Sequence, residues 1–240
     1  MKPGILAALV LAILPAGCES AGVYAPVLGS IITQPSGALT AAEIDAGLRE
    51  ALTVGTGNVA SRLGKENGYF GDPRIRIPLP ATYRKIQSNL ALIGASGPLD
   101  DVELRLNRAA EASVPEARAL ILGAVRSMTI EDALGILRGG DTAATDFLRA
   151  RTETQLETAF TPHIRTALAQ SGAFTALEQY ASSAGLGGAT SSLQANLTSH
   201  AVSLGLDGIF LYVAEEEKKI RENPVARTTE LLRKVFGASA

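Results

Sequence analysis

The chain has 240 residues, of which 46% are hydrophobic and only 5% aromatic, with no Trp. That composition supplies one sizeable core of Ala, Leu, Ile and Val, and the length fits one domain with at most a subordinate piece. Lys and Arg number 22 against 24 Asp and Glu, a net of −2 spread along the chain, so the basic stripe that a nucleic-acid binder needs is missing and no nucleic-acid partner is expected.

The first residues read as an export leader. Lys2 gives a positive start, Ile5 to Leu14 is a continuous apolar run, and Pro15-Ala16-Gly17-Cys18 follows. A run of that length is too short to span a bilayer but fits the apolar region of a signal peptide, here residues 1–17. Cys18 is the sole cysteine, so it has no internal disulfide partner. Its place after Ala16-Gly17 resembles a bacterial lipobox, in which the chain is cut before a lipid-modified cysteine, although Pro15 stands where a Leu is usual. Ordinary cleavage near Ala21 or Ala25 is the alternative. Residues 18–39, with small residues, prolines and no clear period, read as a lipid-anchored or flexible tether to a single helical domain over 40–240. Beyond Cys18, the best candidate for a membrane span, Ala201 to Ala214, is interrupted by Asp207 and followed by three glutamates.

Thr40 and Glu43 form a capping box, and Ile44, Leu48, Leu52, Val59 and Leu63 then share one helical face up to Gly64. Gly55 and Gly57 lie inside that helix, a pattern that predicts close approach by a neighbouring element. Asn67 to Pro80 has extended character, with Ile75, Ile77 and Leu79 alternating with Arg74, Arg76 and Pro78. Its prolines make it an edge strand or an extended crossing, with the two arginines pairing surface carboxylates or holding an anionic group.

Helices are predicted over 81–93 and from Asp100 or Asp101 to about Ala112. Ser113 and Glu116 form a second capping box that opens another helix, with Pro115 in its first turn. Thr129 and Asp132 open a short helix closed by Gly139-Gly140. Asp141 caps a longer one through Phe160, interrupted by Pro162, and Thr161–Ser171 and Ala173–Ala184 continue as helices. Gly185 to Gly188 reads as a joint. A spine helix from about Ser192 to Glu222 carries Leu193, Leu197, Ala201, Leu204, Gly208 and Leu211 as its stripe, and a final helix runs from Pro224 to Phe236. The fold class predicted is all-α: a compact multi-helix array with a long C-terminal spine helix and one short extended segment at about 73–80.

The motifs Ile77-Pro78-Leu79-Pro80, Asn107-Arg108-Ala109-Ala110-Glu111, Met128-Thr129 with Asp132-Ala133, and Asp141-Thr142-Ala143-Ala144-Thr145 lead to the tail EEEKKIRENPVARTTELLRKVFG. Together they resemble a bacterial family known as domain of unknown function 4197, over about residues 40–237. That resemblance implies no activity and no metal.

Candidate chemistry is sparse. Glu103, Asn107 and Glu111 are spaced four apart on one face, with Arg108 beside them. Two carboxylates there would suit acid/base work or a metal, or else an ionic ladder fixing neighbouring elements; no His or Cys joins them, and no metal or cofactor is expected. Gly139-Gly140-Asp141-Thr142 would offer backbone amides to an anion, but Asp141 would occupy them itself, and Thr145 one turn later has no activating base. Arg227 and Thr228, near the start of the last helix, would receive a phosphate or carboxylate, or lock that helix through Asp141, Glu216 or Asp207. Asp207, in an apolar stretch, must reach solvent or find a donor. His163 and His200 show no metal-ligand spacing.

These readings point to an exported protein on the periplasmic face of a bacterial membrane or soluble in the periplasm. Its expected role is a non-enzymatic binding or interaction module, partnered with the membrane through lipid on Cys18 and with a protein or apolar small molecule. The alternatives are an enzyme of unrecognised type that uses the Glu/Asn/Arg cluster, and a purely structural envelope component.

Overall fold

A computed structural model describes residues 39–94, 96–172, 187–223 and 229–237. Among them are seven helices and no strand. In chain order they are α1 (Ala41–Leu63), α2 (Ala81–Ala91), α3 (Gly97–Ser127), α4 (Ile130–Arg138), α5 (Ala143–Ala169), α6 (Gly187–Glu222) and α7 (Glu230–Gly237). The all-α class with a long C-terminal helix is as predicted.

Two of the predicted breaks are absent, and both involve proline. α3 runs unbroken through Ser113 and Pro115, so the second capping box does not form. The Ser113 hydroxyl instead donates to the Ala109 carbonyl four residues back, at 2.7 Å, a bond that keeps a serine inside a helix. Val114, Ala117, Ile121 and Val125 continue the buried face across the proline, and their burial, about 1.5–3 kcal/mol for each large side chain, offsets the roughly 3 kcal/mol cost of Pro in a helix interior. α5 likewise passes through Pro162, because Phe160, Ile164 and Leu168 keep one face in the core on both sides of it. α3 also starts earlier than predicted, at Gly97 with Pro98 in its first turn.

The capping box of α1 forms as expected from Thr40 with Glu43, and Thr129 with Asp132, expected to open α4, form a capping box there as well. At the other end of α3 the closing group comes from α1. Arg49, held by Asp45 through its Nε at 2.9 Å, donates to the carbonyls of Val125 at 2.6 Å, Arg126 at 3.0 Å and Met128. A guanidinium on the last carbonyls satisfies orphan acceptors and complements the negative end of the helix.

The spine, α6, begins at Gly187, five residues before the predicted start, so Gly187 and Gly188 belong to the helix rather than to a joint. Its buried stripe also differs from the predicted one. Leu197, Ala201, Val202, Leu206, Ile209, Phe210, Tyr212, Val213 and Ile220 are buried, whereas Leu211 is exposed. By length and composition its Gln194–Glu222 portion would cross a membrane, but most of that apolar window is buried inside the fold, as suits a core helix. α3 and α5 form the broadest helix pair, α5 and α6 the next, and α1 spans α3, α4, α6 and α7. The helix predicted over 173–184 and the stretch from Pro224 to Thr228 lie outside the described residues.

Residues 64–80 cross this array without forming a strand. Asn67 enters the turn at φ 64°, a left-handed conformation that asparagine tolerates. Tyr69, Ile75, Ile77 and Leu79 then face the core. Tyr69 and Ile75 lie over Gly208 of the spine, where an added Cβ would stand 2.8 Å from Tyr69 Cε1 and 3.2 Å from Ile75 Cβ. The glycine permits the close crossing.

Candidate functional site

The polar face predicted on α3 is real, and it is turned onto the extended segment. Asn107 is fully buried and pairs both backbone groups of Ile77, accepting from its N at 2.9 Å and donating to its O at 2.9 Å. It also donates to the Glu103 carbonyl at 2.8 Å. Glu111 accepts from the amides of Tyr69 at 3.0 Å and Phe70 at 3.2 Å, and from Arg108 at 2.7 Å. Glu103 accepts from Arg76 Nε at 2.7 Å and, more distantly, from Gln87. Arg108 is committed further to Glu66 at 3.1 Å and Asn67 at 2.9 Å. The three side chains, one turn apart on α3, thus act as a ladder that satisfies a chain segment with no sheet partner.

A second buried centre joins α4, α5 and α6. Glu217 accepts from the amides of Ala144 at 3.0 Å and Thr145 at 2.9 Å, and from the Thr145 hydroxyl at 2.8 Å. Arg221, one turn on, donates to Glu217 Oε1 from Nε at 3.0 Å and Nη2 at 2.8 Å, and to the Ile136 carbonyl at 3.0 Å. Glu217 therefore does for α5 what Asp141 was expected to do. Asp141 is exposed and makes no cap; Thr142 is the N-cap residue and lends no side-chain bond to the backbone. A carboxylate from a neighbouring helix takes the first-turn amides, where the positive end of the helix favours it. The adjoining apolar void, lined by Leu48, Leu52, Ile220 and Phe236 among others, measures about 20 Å³, room for no more than about one water.

The third cluster lies where the extended segment meets the spine. The Tyr212 hydroxyl donates to Asp72 and accepts from Arg74, which also pairs with Glu215. Arg62 stacks over the Tyr212 ring at 4.2 Å and reaches Asp72 at 3.4 Å. Burial tends to raise the Asp72 carboxyl, but hydrogen bonds from Tyr212 and from the Arg74 backbone and side chain outweigh it and hold the group below its ordinary value. Burial, then the bond to Asp72, raises the Tyr212 phenol.

The remaining predicted residues scatter. Asp207 reaches solvent and pairs with Arg149 through both Nη atoms at 3.0 Å, while Arg149 covers the Phe210 ring at 4.5 Å. Glu216 is taken by Asn58 at 2.8 Å and Lys219 at 2.5 Å. His163 lies 3.6 Å from Glu116, and His200 Nε2 is 2.9 Å from the Pro78 carbonyl. No group of three or more His, Cys, Asp or Glu able to hold a metal occurs among the described residues. Cys18, Arg227 and Thr228 lie outside the described residues. The structure therefore brings Glu103, Asn107, Arg108 and Glu111 together at one place and Thr145 to another, with Asp141 and Asp207 apart from both.

Open depressions lie at the surface, one of about 610 Å³ beside Arg62, Asp72 and Arg74 of the third cluster. One of about 430 Å³ between α3 and α5 has Arg105, Arg108, His163, Thr166 and Gln170 around a floor of Ala109, Ala112 and Pro162. Another of about 490 Å³ between α1 and α3 is lined by Gly57, Ser61, Gly64, Val114 and Pro115, with Lys65 and Arg118 at its rim. Gly57 opens onto this groove, and a Cβ there would meet nothing within 4 Å; Gly55, by contrast, faces Glu216 Cβ at 3.4 Å. The predicted close approach holds for Gly55 alone.

Sequence reasoning missed Glu217 and Arg221 as a pair. The available signal was position: Glu217 falls on the buried stripe between Val213 and Ile220, where a charge requires partners. Arg49 carried no such signal, because its partners are carbonyls distant in sequence.

With this geometry in view, the chain belongs to the family described as protein of unknown function (DUF4197), which matches residues 38–237. No curated protein and no solved structure matches it.

Proposed function

We propose that this member of the DUF4197 family is an exported, lipid-anchored interaction module of the bacterial cell envelope, working without catalysis of its own. In this reading residues 1–17 are removed, Cys18 carries the lipid, residues 18–39 are the tether, and the helical domain presents its surface to a protein or apolar ligand. One observation carries the non-enzymatic part. The buried polar groups are consumed inside the fold: Glu111 on two amides and Arg108, Asn107 on Ile77, and Glu217 on the start of α5 and Arg221. Glu217, with five hydrogen bonds from protein donors beside a void of about 20 Å³, has neither a free lone pair nor space for a substrate. The open grooves are left as binding surface.

The test is mass spectrometry of the protein expressed with its own leader in an exporting bacterium. The expected species begins at Cys18 with a diacylglyceryl mass increment, and Cys18→Ser removes both the increment and the membrane fraction. A chain cleaved at Ala21 or Ala25, or one retaining residues 1–17 in the cytosol, rejects the anchor. Organic extracts of natively purified protein, followed by crosslinking in the envelope, separate a small-molecule ligand from a protein partner. Turnover lost on Glu217→Gln in a correctly folded variant would remove the non-enzymatic reading.

A further inference from the structure

We propose that the turn at the end of α2, over Leu92 and Ile93, is a bilayer-contacting element that docks on anionic phospholipid. Leu92 and Ile93 at its tip are 85% and 76% exposed, far above Ile130 at 47%, the next large hydrophobic side chain among those described. Single exposed aliphatics are ordinary on a soluble surface; two adjacent ones at the apex of a turn are not. Gly94, at φ 70°, turns the chain immediately after them. The stretch from Ser88 to Leu99 contains no charged residue. α2 packs chiefly against α3, which leaves the tip projecting.

The charges around this tip are arranged as a membrane surface would require. Arg84 and Lys85 are exposed on α2, and among the described residues neither side chain has a carboxylate or hydrogen-bond partner. Seven residues separate Lys85 from Leu92, roughly 10 Å along a helix. That spacing matches the depth of about 5–10 Å to which interfacial apolar groups enter the headgroup and acyl boundary. With Leu92 and Ile93 at that depth, Arg84 and Lys85 lie at the level of the lipid phosphates. Of the nearby acids on α3, Asp101 is paired with Arg105, whereas Asp100 accepts from the neutral Gln87 and Ser96 and keeps its charge, so the two exposed cations face one uncompensated carboxylate. This contact does not depend on lipid at Cys18, and its failure leaves the anchor untouched.

The test uses Leu39–Ala240, which holds every residue of the described core, in flotation assays with vesicles of phosphatidylcholine alone or mixed with phosphatidylglycerol. The expected result is binding to the phosphatidylglycerol vesicles that weakens about ten-fold or more in Leu92→Glu/Ile93→Glu, with an unchanged thermal melt because both positions are exposed. Arg84→Glu/Lys85→Glu should remove the preference for the anionic lipid. Wild-type protein that floats with neither vesicle overturns the proposal, as does equal binding to both vesicles or a double-glutamate variant that binds as well as wild type. A concentration-dependent dimer dispersed by Leu92→Glu/Ile93→Glu, without vesicle binding, assigns the tip to a second copy of the chain instead.

Discussion

Asn107 gives Ile77 the pair of hydrogen bonds that a neighbouring strand would give, accepting from its N–H and donating to its carbonyl, each at 2.9 Å. The crossing of residues 64–80 is thus fastened near its C-terminal end to α3 by one amide side chain. Removing that amide in Asn107→Ala leaves two buried backbone groups unpaired, at about 1–3 kcal/mol each. Asn107→Asp keeps the acceptor and turns the donor into a carboxylate oxygen facing the Ile77 carbonyl, so it should cost at least as much. Urea denaturation measures both, and a loss below about 1 kcal/mol for the alanine variant would show that the segment is held by its apolar residues alone.

Glu217 should matter to α5 more than any residue of α5's own first turn. In Glu217→Ala the amides of Ala144 and Thr145 lose their acceptor and Arg221 loses its partner, for a combined cost of about 3 kcal/mol. Asp141→Ala, at an exposed position that makes no cap, should change stability by less than about 0.5 kcal/mol. Hydrogen exchange at Ala144 and Thr145 reads the same contrast locally. Faster exchange in the Asp141 variant and not in the Glu217 variant would reverse the assignment.

Two glycines make opposite predictions for the same substitution. Gly208→Ala places a Cβ 2.8 Å from Tyr69 Cε1 and 3.2 Å from Ile75 Cβ, both on packed side chains. The segment must shift, and a loss of about 1–3 kcal/mol is expected. Gly57→Ala meets nothing within 4 Å and should stabilise the domain by about 1 kcal/mol through helix propensity. Thermal melts of the two variants moving in the same direction would contradict the packing described.

The sequence made the helical class, the capping box at Thr40, the helix start at Thr129, and the common face of Glu103, Asn107 and Glu111 legible, because each depends on spacing within one element. What that face touches was not legible, since Ile77 and Tyr69 lie thirty or more residues away and the bonds run to their backbone. The breaks expected at Ser113 and Pro162 did not form because local stop signals lost to tertiary burial: Val114, Ala117, Ile164 and Leu168 are worth more in the core than an uninterrupted hydrogen-bond ladder. Asp141 failed as a cap for the same kind of reason, with a better-placed carboxylate arriving from α6.

Tyr69 supplies the pH dependence. Its hydroxyl is fully buried and donates to the Gly205 carbonyl at 2.7 Å. Burial first, and then the charge of Glu111, push the phenol far above its ordinary value of 10.0. The folded state therefore holds this proton when the unfolded chain has released it. The associated stability is complete below pH 10 and declines as pH rises beyond it, by up to about 1.4 kcal/mol per pH unit. Tyr83 and Tyr212 are also raised, both chiefly by burial, and add to the slope. Tyr69→Phe should cost about 1 kcal/mol at neutral pH through the lost hydrogen bond, yet lose less stability than wild type between about pH 9 and 11. Urea midpoints of the two proteins across that range decide the matter. Parallel curves would mean that Tyr69 ionises in the folded state as readily as in the unfolded one, and that the crossing over Gly208 opens to solvent at high pH.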